Sequence, residues 1–169
     1  MEESSLPKDV WIVLDTNFLI DFYSKQDQYA PIFEKLRKRN NTIVTIDLVR
    51  TEFIRSKSKE VVEAKVDFLG KMVETILPLD NETLRLVQPT IEIYASDMDK
   101  VELTDIYLAC VIQRHSKVYL LTRNHSDFPC RLFSRSNIFN VGLEKDIKTY
   151  ALYQYKKSDT LEVKDEVPF

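Results

Sequence analysis

Two acidic side chains follow short apolar runs of the sequence. Asp15 ends the stretch VWIVLD, and Asp127 comes five residues after Thr122, the last residue of VYLLT. Short continuous apolar runs are typical of strands that are buried on both faces of a parallel sheet. Ligands of such sheets bind beyond the carboxyl ends of the strands. We therefore expect both carboxylates at one edge of a sheet, where an uncompensated buried charge would be costly.

Two further acids are expected to face the same edge from helices. Glu52 lies one to two turns into the helix predicted after a second strand, and Asp105 stands in the first turn of LTDIYLACVIQRH. Four carboxylates in a partly dry cleft stay ionised only if positive charge compensates them. Oxygen ligands without a His or Cys cluster favour Mg²⁺ or Mn²⁺ over zinc. The chemistry that this predicts is phosphodiester hydrolysis by a metal-activated water.

Each acid also has an interpretation that involves no chemistry. Asp15 suits the N-cap of a helix, and Asp105 could complement the helix dipole in a first turn. Glu52 could be a solvated helix residue, and Asp127 in SDF an ordinary turn residue. The four acids together indicate a site more strongly than any one of them.

The composition excludes several classes of protein. The 169 residues fit one domain, and two glycines nearly exclude a P-loop or a dinucleotide-binding loop. Cys110 and Cys130 are isolated, and the acidic, polar N-terminus has no secretory apolar region, which favours the reducing cytoplasm. No apolar run approaches the roughly 18 residues that a membrane span requires, so no membrane association is expected.

The elements that would position the acids alternate between strands and helices. This order predicts a single three-layer α/β/α domain with a central, mainly parallel sheet of four to five strands. Thr16 or Asn17 is expected to cap the first helix and Thr104 the last long one. The predicted strands are 10–14, 42–45, 118–122 and 138–141, and the predicted helices are 18–24, 30–39, 46–55 and 103–115.

A helical hairpin is predicted between Glu52 and Asp105. Apolar residues recur with a 4-3-4-3 spacing in 58–76 and again in 84–101, and Pro89 is expected to kink or split the second helix. The two apolar stripes could pack on each other, or could form a dimer seam or a substrate clamp.

Four stretches of this sequence resemble the PIN-domain nucleases of the PilT N-terminus type. They occur in the family's order: LDTNFLID with Asp15, VRTEFIR with Glu52, LTDIYLACV with Asp105, and LLTRNHSDF with Asp127. The first and last stretches are the more specific ones. The segment between Glu52 and Asp105 departs from the family, because it lacks the glycines often found there.

The resemblance covers roughly residues 10 to 141 and gives the predicted domain bounds. A PIN-like nuclease domain is expected at 10–142, after an N-terminal lead of residues 1–9. Residues 143–169 are predicted to form a C-terminal extension whose last dozen residues are mobile.

The resemblance also implies an activity and roles for individual residues. Members of the family cleave single-stranded or structured RNA with Mg²⁺ or Mn²⁺, and many small ones are toxins neutralised by a cognate antitoxin. By this resemblance the protein is a cytoplasmic metal-dependent endoribonuclease, with RNA, an antitoxin and a second copy of the chain as candidate partners. Asp15, Glu52, Asp105 and Asp127 would form the metal site, and Thr122 and Asn124 would orient these acids or the water.

Phosphate groups of RNA would have to be bound locally, because the net charge of −3 provides no general basic field. Arg131 and Arg135 are spaced by four and follow Asp127 closely, and Arg123 lies in the loop between Thr122 and that acid. These arginines and Asn17 are the predicted nucleic-acid contacts, although charged residues often only form a solvated face. His125 in the same loop is interpreted as a bystander.

Two rival interpretations keep the α/β fold. In the first, the protein is a catalytically silent PIN-like module that binds RNA or protein. In the second, it is a phosphotransfer enzyme with an aspartate nucleophile, or a receiver domain. Against the second, Asp15-Thr16-Asn17 lacks an acid two residues after Asp15, and Thr122-Arg123 occupies the place where a receiver has lysine.

Overall fold

Six strands form one sheet in the computed structural model, which describes residues 6–95 and 101–157. The order across the sheet is β3-β2-β1-β4-β6-β5, so the first strand lies near the middle. The strands are β1 (Trp11–Leu14), β2 (Thr42–Ile46), β3 (Thr75–Leu77), β4 (Val118–Thr122), β5 (Phe133–Gly142) and β6 (Ile147–Tyr155).

The central part of the sheet is parallel. β1 pairs in parallel with β2 and β4, and β2 pairs in parallel with β3, whereas β6 is antiparallel to both β4 and β5. Leu14 is paired with Leu121, so that Asp15 and Thr122 emerge side by side at the carboxyl ends of their strands. This register brings together the first and last motifs of the sequence.

The helices fall into two groups that cover the sheet. α1 contacts α2 and α3, and α3 contacts α4, whereas α5, α6 and α7 contact one another. Since right-handed crossovers to opposite sides of β1 place helices on opposite faces, the predicted three-layer α/β/α fold is confirmed. The helices are α1 (Thr16–Ser24), α2 (Gln26–Arg37), α3 (Asp47–Ile54), α4 (Lys59–Met72), α5 (Asn81–Arg85), α6 (Val87–Ala95) and α7 (Leu103–Arg114).

The apolar runs that predicted buried strands form the centre of the core. Ile12, Val13 and Leu14 of β1 and Leu120 and Leu121 of β4 have no solvent exposure. Residues of both alternating sets along these strands are buried, as expected for a sheet covered on both faces. The acids that follow these strands are therefore positioned by the fully buried centre of the sheet.

The predicted helical hairpin is corrected by the structure. β3 lies between the two amphipathic segments and pairs with β2, because Ile76 and its neighbours satisfy the backbone groups of that strand. α4 then packs on α3, whereas α5 and α6 pack on α7. The 4-3-4-3 stripes thus face different helices in different layers, and the part of the second stripe at 96–100 lies outside the described residues.

The predicted break in the second segment occurs three residues before Pro89. α5 ends at Arg85, and α6 begins at Val87. Pro89 is the third residue of α6, where the backbone N–H has no partner within the helix and its absence costs little.

The sheet has six strands, more than the four to five predicted. β3 was not predicted, β5 begins five residues before the predicted strand at 138–141, and β6 lies in the predicted C-terminal extension. β6 occupies the position between β4 and β5, and Tyr150 and Leu152 are fully buried. Ile147–Tyr155 of that extension is therefore part of the sheet, and its last dozen residues lie outside the described residues.

None of the helices in the described part of the chain is long and apolar enough to cross a membrane.

Candidate active site

A pocket of about 230 Å³ opens at the carboxyl ends of β1 and β4. Three of the four predicted acids line it, although they lie up to 90 residues apart in the sequence. Its lining consists of Asp15, Thr16, Asn17, Ile20, Glu52, Glu102, Thr104, Asp105, Arg123 and Asn124.

Asp15 is held at the base of this pocket by three donors. Its Oδ1 accepts a hydrogen bond of 2.6 Å from the backbone N of Thr16, so the carboxylate also caps α1. Its Oδ2 accepts from Asn17 Nδ2 at 2.5 Å and from Thr122 Oγ1 at 2.6 Å. The capping role considered for Asp15 is thus confirmed, and neither Thr16 nor Asn17 is the cap. The second oxygen is thus held by Asn17 of α1 and by Thr122, the last residue of β4.

Glu52 is held by hydroxyl groups from two other helices. Thr16 Oγ1 of α1 donates to Glu52 Oε2 at 2.6 Å, and Thr104 Oγ1 of α7 donates to Glu52 Oε1. Glu52 is therefore not the freely solvated helix residue considered as the alternative. Thr104 was predicted to cap α7, but the N-cap position is Glu102, and the threonine hydroxyl serves the site instead.

Asn124 links the last two acids. Its Nδ2 donates to Asp105 Oδ2 at 3.0 Å and to Asp127 Oδ2 at 2.7 Å, and its backbone N donates to Thr122 Oγ1 at 2.9 Å. Asp127 does not line the pocket but lies behind this amide. Asp127 is thus placed to orient Asn124 and Asp105, in addition to the metal-site role that the sequence predicts for it.

Burial and mutual repulsion disfavour the charged forms of two of these acids. Burial raises the pKa of Asp15 to about 6, hydrogen bonds from Thr122 and Thr16 oppose this shift, and the charge of Glu52 adds to it. Burial raises the pKa of Asp105 well above its usual range, and the neighbouring charges of Asp15 and Asp127 raise it further. The electrostatics thus disfavour full ionisation unless a cation is present.

The donor set fits a hard divalent cation. The pocket offers carboxylate, amide and hydroxyl oxygens, which Mg²⁺ and Mn²⁺ prefer, and its lining contains no His or Cys. Within residues 6–95 and 101–157, no three His, Cys, Asp or Glu side chains are arranged as ligands of one ion. Mg²⁺ usually needs only one or two carboxylates, with waters and substrate phosphates completing its shell. Asp15 and Asp105, which repel each other across the pocket, satisfy this requirement.

Arg123 is the basic side chain among the described residues of the pocket lining. Its backbone N donates to Asn17 Oδ1 at 3.4 Å, and its Nε donates to Asp21 at 3.0 Å. The predicted contacts Arg131 and Arg135 do not line the pocket. Arg131 donates to the backbone carbonyl of Ile93, and Arg135 lies on β5 opposite Tyr153, away from the carboxyl end of β4.

His125 joins the loop after β4 to β6. Its Nδ1 lies 2.7 Å from the Tyr153 hydroxyl, and its Nε2 lies 3.0 Å from the Thr149 carbonyl. His125 does not line the pocket, so its role is to hold the loop that carries Asn124.

Sequence reasoning missed four residues of the pocket lining as site residues, namely Thr16, Ile20, Glu102 and Thr104. Thr104 and Glu102 precede Asp105 closely, so their position at the start of α7 was a usable signal. Ile20 lies one turn after Asn17, where an apolar residue is expected to face the core. In the structure Ile20 is instead 43% exposed, which the sequence pattern did not indicate.

A comparison with solved structures shows a similar fold in a crystal structure of VapBC2 from Rickettsia felis, which is bound to a DNA fragment from the VapBC2 promoter. The match covers 59% of this chain and 78% of that chain, with a TM-score of 0.52 and 24% sequence identity. The fold of this chain is therefore PIN-like, as the four motifs predict. The sequence matches no protein-family model and no curated protein.

Proposed function

We propose that this protein is a divalent-metal-dependent endoribonuclease that hydrolyses phosphodiester bonds of cytoplasmic RNA. The observation that carries the proposal is the convergence of Asp15, Glu52 and Asp105 on one pocket at the carboxyl ends of β1 and β4. These acids come from three separate segments, so their meeting is a property of the fold. The PIN-like fold and the oxygen-rich lining of the pocket support the same chemistry.

Each side chain has a distinct part in the proposed reaction. Mg²⁺ or Mn²⁺, when bound, supplies activation of the attacking water and stabilises the charge that develops on the phosphate. Asp15 and Asp105 would hold the cation, and both must lose their protons to do so. Thr122 and Asn124 orient these carboxylates through the hydrogen bonds described above. Arg123 would hold a phosphate of the substrate at the edge of the pocket.

Asp127 and Glu52 act from the edge of this arrangement. Asp127 accepts a hydrogen bond from the side-chain amide of Asn124 and so fixes its orientation. Asn17 has a similar part, because its Nδ2 donates to Asp15 Oδ2 at 2.5 Å and to Thr122 Oγ1 at 3.0 Å. Glu52 is held by two threonine hydroxyls, so its oxygens already accept hydrogen bonds. It contributes negative charge that increases the attraction for a cation.

We also infer that the protein acts as the toxin of a toxin–antitoxin pair, with a cognate antitoxin as partner. The support is the similarity of its fold to VapBC2, together with its small size. Production of the unaltered protein in a bacterial host is expected to arrest growth, and the Asp105→Asn variant is expected not to. Growth unaffected by an active nuclease would favour an RNA-processing role instead.

A second candidate function is a catalytically silent RNA- or protein-binding module. The observation that favours it is that the described acids do not form a group of three ready to hold one ion. This candidate predicts RNA binding without turnover in either Mg²⁺ or Mn²⁺.

The two candidates are separated by incubating the protein with mixed RNA and with single-stranded DNA, in Mg²⁺, Mn²⁺ or EDTA. The nuclease proposal predicts RNA cleavage that requires metal and falls at least about a hundredfold in Asp15→Asn and Asp105→Asn, a typical effect of removing one electrostatic group. Asp67→Asn on the exposed surface of α4 is the matched control and is expected to retain full activity. Cleavage that persists in both site variants would overturn the proposal.

A further inference from the structure

We propose that Asp21, Lys148 and Tyr150 form a support that holds Arg123 in position to bind an RNA phosphate at the pocket. This inference rests on the proposed ribonuclease function and assigns positioning residues to it. Asp21 lies on α1, where it is the last residue of the stretch LDTNFLID, whereas Lys148 and Tyr150 lie on β6, outside the four acidic motifs of the sequence.

Asp21 is the centre of this support. Its Oδ2 accepts from Arg123 Nε at 3.0 Å and also from the Tyr150 hydroxyl, and its Oδ1 accepts from Lys148 Nζ at 2.6 Å. The Asp21 side chain is only 9% exposed, whereas that of Arg123 is 43% exposed. A buried anchor thus holds a side chain that reaches the solvent at the pocket.

Asp21 remains a charged acceptor at neutral pH. Burial alone would raise its pKa, but hydrogen bonds from Lys148 and Tyr150 and the charge of Arg123 together lower the pKa below its usual range. The anchor therefore keeps its charge under the conditions in which a ribonuclease works.

Lys148 determines the net charge of the group. Asp21 alone would neutralise Arg123, but its carboxylate also faces Lys148, so two cations oppose one anion. One positive charge remains in excess beside a pocket whose other charged lining residues are all acids. An RNA phosphate approaching those acids needs such a charge, because the protein as a whole is negative.

The geometry of Arg123 suits a phosphate. Asp21 accepts from Nε, and this hydrogen bond uses none of the N–H groups on the two terminal nitrogens of the guanidinium. Those groups form the planar pair that binds phosphate through two parallel hydrogen bonds. A guanidinium held at Nε loses less conformational freedom when it binds than a freely moving one does.

Charge and positioning make opposite predictions for Asp21→Asn. This substitution makes the protein more positive, so a purely electrostatic contribution would tighten RNA binding. If Asp21 positions Arg123, binding weakens despite the added positive charge. The sign of the change therefore distinguishes the two roles.

The experiment measures binding of a fluorescently labelled single-stranded RNA of mixed sequence in EDTA, at several salt concentrations, and cleavage with Mg²⁺. Arg123→Met is expected to weaken binding about tenfold, as for loss of a hydrogen bond to a charged group. It should also reduce the slope of log affinity against log salt by about 0.7, the value for one phosphate contact on a single strand. Asp21→Asn is expected to give a similar loss of slope and to raise KM while kcat is unchanged.

Two further variants keep the test decisive if Asp21→Asn does not fold. Tyr150→Phe removes one hydrogen bond to Asp21 without changing any charge and is expected to weaken binding severalfold. Asp80→Asn removes the acid of the Asp80–Arg114 ion pair, away from the pocket, and is expected to leave KM unchanged. A merely structural role would lower the folded fraction and hence kcat, with no effect on KM.

The outcomes separate this inference from the proposed function. Unchanged or tighter binding by Asp21→Asn or Tyr150→Phe, in a protein that cleaves RNA, would overturn the support and leave the nuclease intact. Absence of both RNA binding and cleavage in the unaltered protein would overturn the proposed function and the inference together.

Discussion

At the scale of single residues, the site contains carboxylates whose burial outweighs their hydrogen bonds. Asp15 accepts from Thr16, Asn17 and Thr122, yet its pKa is raised to about 6 because it is 4% exposed and close to Glu52. Asp105 is 6% exposed, and its pKa is raised as well. Buried carboxylates that repel each other destabilise the metal-free folded protein, and a bound cation would offset this effect. The acids that would serve function are therefore expected to lower the free energy of unfolding of the metal-free protein.

Asp105→Asn is expected to stabilise the metal-free protein while abolishing cleavage. Since the folded protein binds more protons at Asp15 and Asp105 than the unfolded chain does, its free energy of unfolding falls as pH rises from about 4 through 6 and beyond. The asparagine side chain does not ionise, so the substitution removes the contribution of Asp105 to this decrease in the free energy of unfolding. In EDTA at pH 7.5, we expect a gain on the order of 1–2 kcal/mol, or roughly 2–8 °C in Tm.

Thermal unfolding at pH values from 5 to 8 provides the measurement. Asp67→Asn on α4 should leave both Tm and its pH dependence unchanged. Added Mg²⁺ should raise the Tm of the unaltered protein more at pH 8 than at pH 5, because the cation binds the ionised acids. A lower Tm for Asp105→Asn throughout this range would show that the acid stabilises the fold and would contradict the assignment.

At the scale of secondary structure elements, Glu52 joins three helices. It belongs to α3 and accepts from Thr16 of α1 and Thr104 of α7. α3 begins after β2, α1 begins after β1, and α7 precedes β4. The contact therefore fixes the mouth of the pocket by linking elements from both layers of helices.

Thr104→Val is expected to lower kcat about tenfold and to destabilise the protein by about 1–3 kcal/mol. The cause is the loss of one donor to a partly buried carboxylate, which leaves that oxygen without its partner. Thr104→Ser keeps the hydroxyl and should retain most of the activity. The measurements are steady-state cleavage of RNA and urea-induced unfolding.

Thr51→Val is the matched control for this substitution. Thr51 lies on the exposed side of α3, and its hydroxyl donates only to the Asp47 carbonyl of the same helix at 2.8 Å. Equal losses of activity in Thr51→Val and Thr104→Val would show that the effect does not act through Glu52.

The sequence predicted elements whose local signals agree with their environment. The apolar runs at β1 and β4 and the β-branched run at β2 are short and continuous, and their bounds were predicted within about two residues. β3 could not be found in this way, because Thr75–Leu77 continues a spacing that favours a helix. Its strand conformation depends on backbone pairing with β2, which is not encoded in the local pattern.

At the scale of the whole molecule, the candidate site was predictable because its acids occur in recognisable local motifs. Asp15 and Asp105 were identified from the residues around them, whereas Asp21 was given no role although it ends the stretch LDTNFLID, and Lys148 lies in none of the four motifs. These two residues meet only because β6 inserts between β4 and β5. Contacts between segments more than 120 residues apart depend on topology, and the sequence predicted only a C-terminal extension for the segment that contains Lys148.

The position of β6 leads to a prediction about truncation. A chain ending at Gly142 loses Tyr150, Leu152 and Tyr153, which are at most 1% exposed. Burial of three such side chains contributes on the order of 5–9 kcal/mol, comparable to the entire free energy of unfolding of a typical domain. The truncated chain is therefore expected to be unfolded, with no cooperative thermal transition.

A chain ending at Lys157 keeps all six strands and should retain a Tm within about 3 °C of the full chain, since all strand pairing described ends by Tyr155. Circular dichroism and calorimetry of the two chains provide the measurement, and cooperative folding of the shorter one would show that β6 is dispensable.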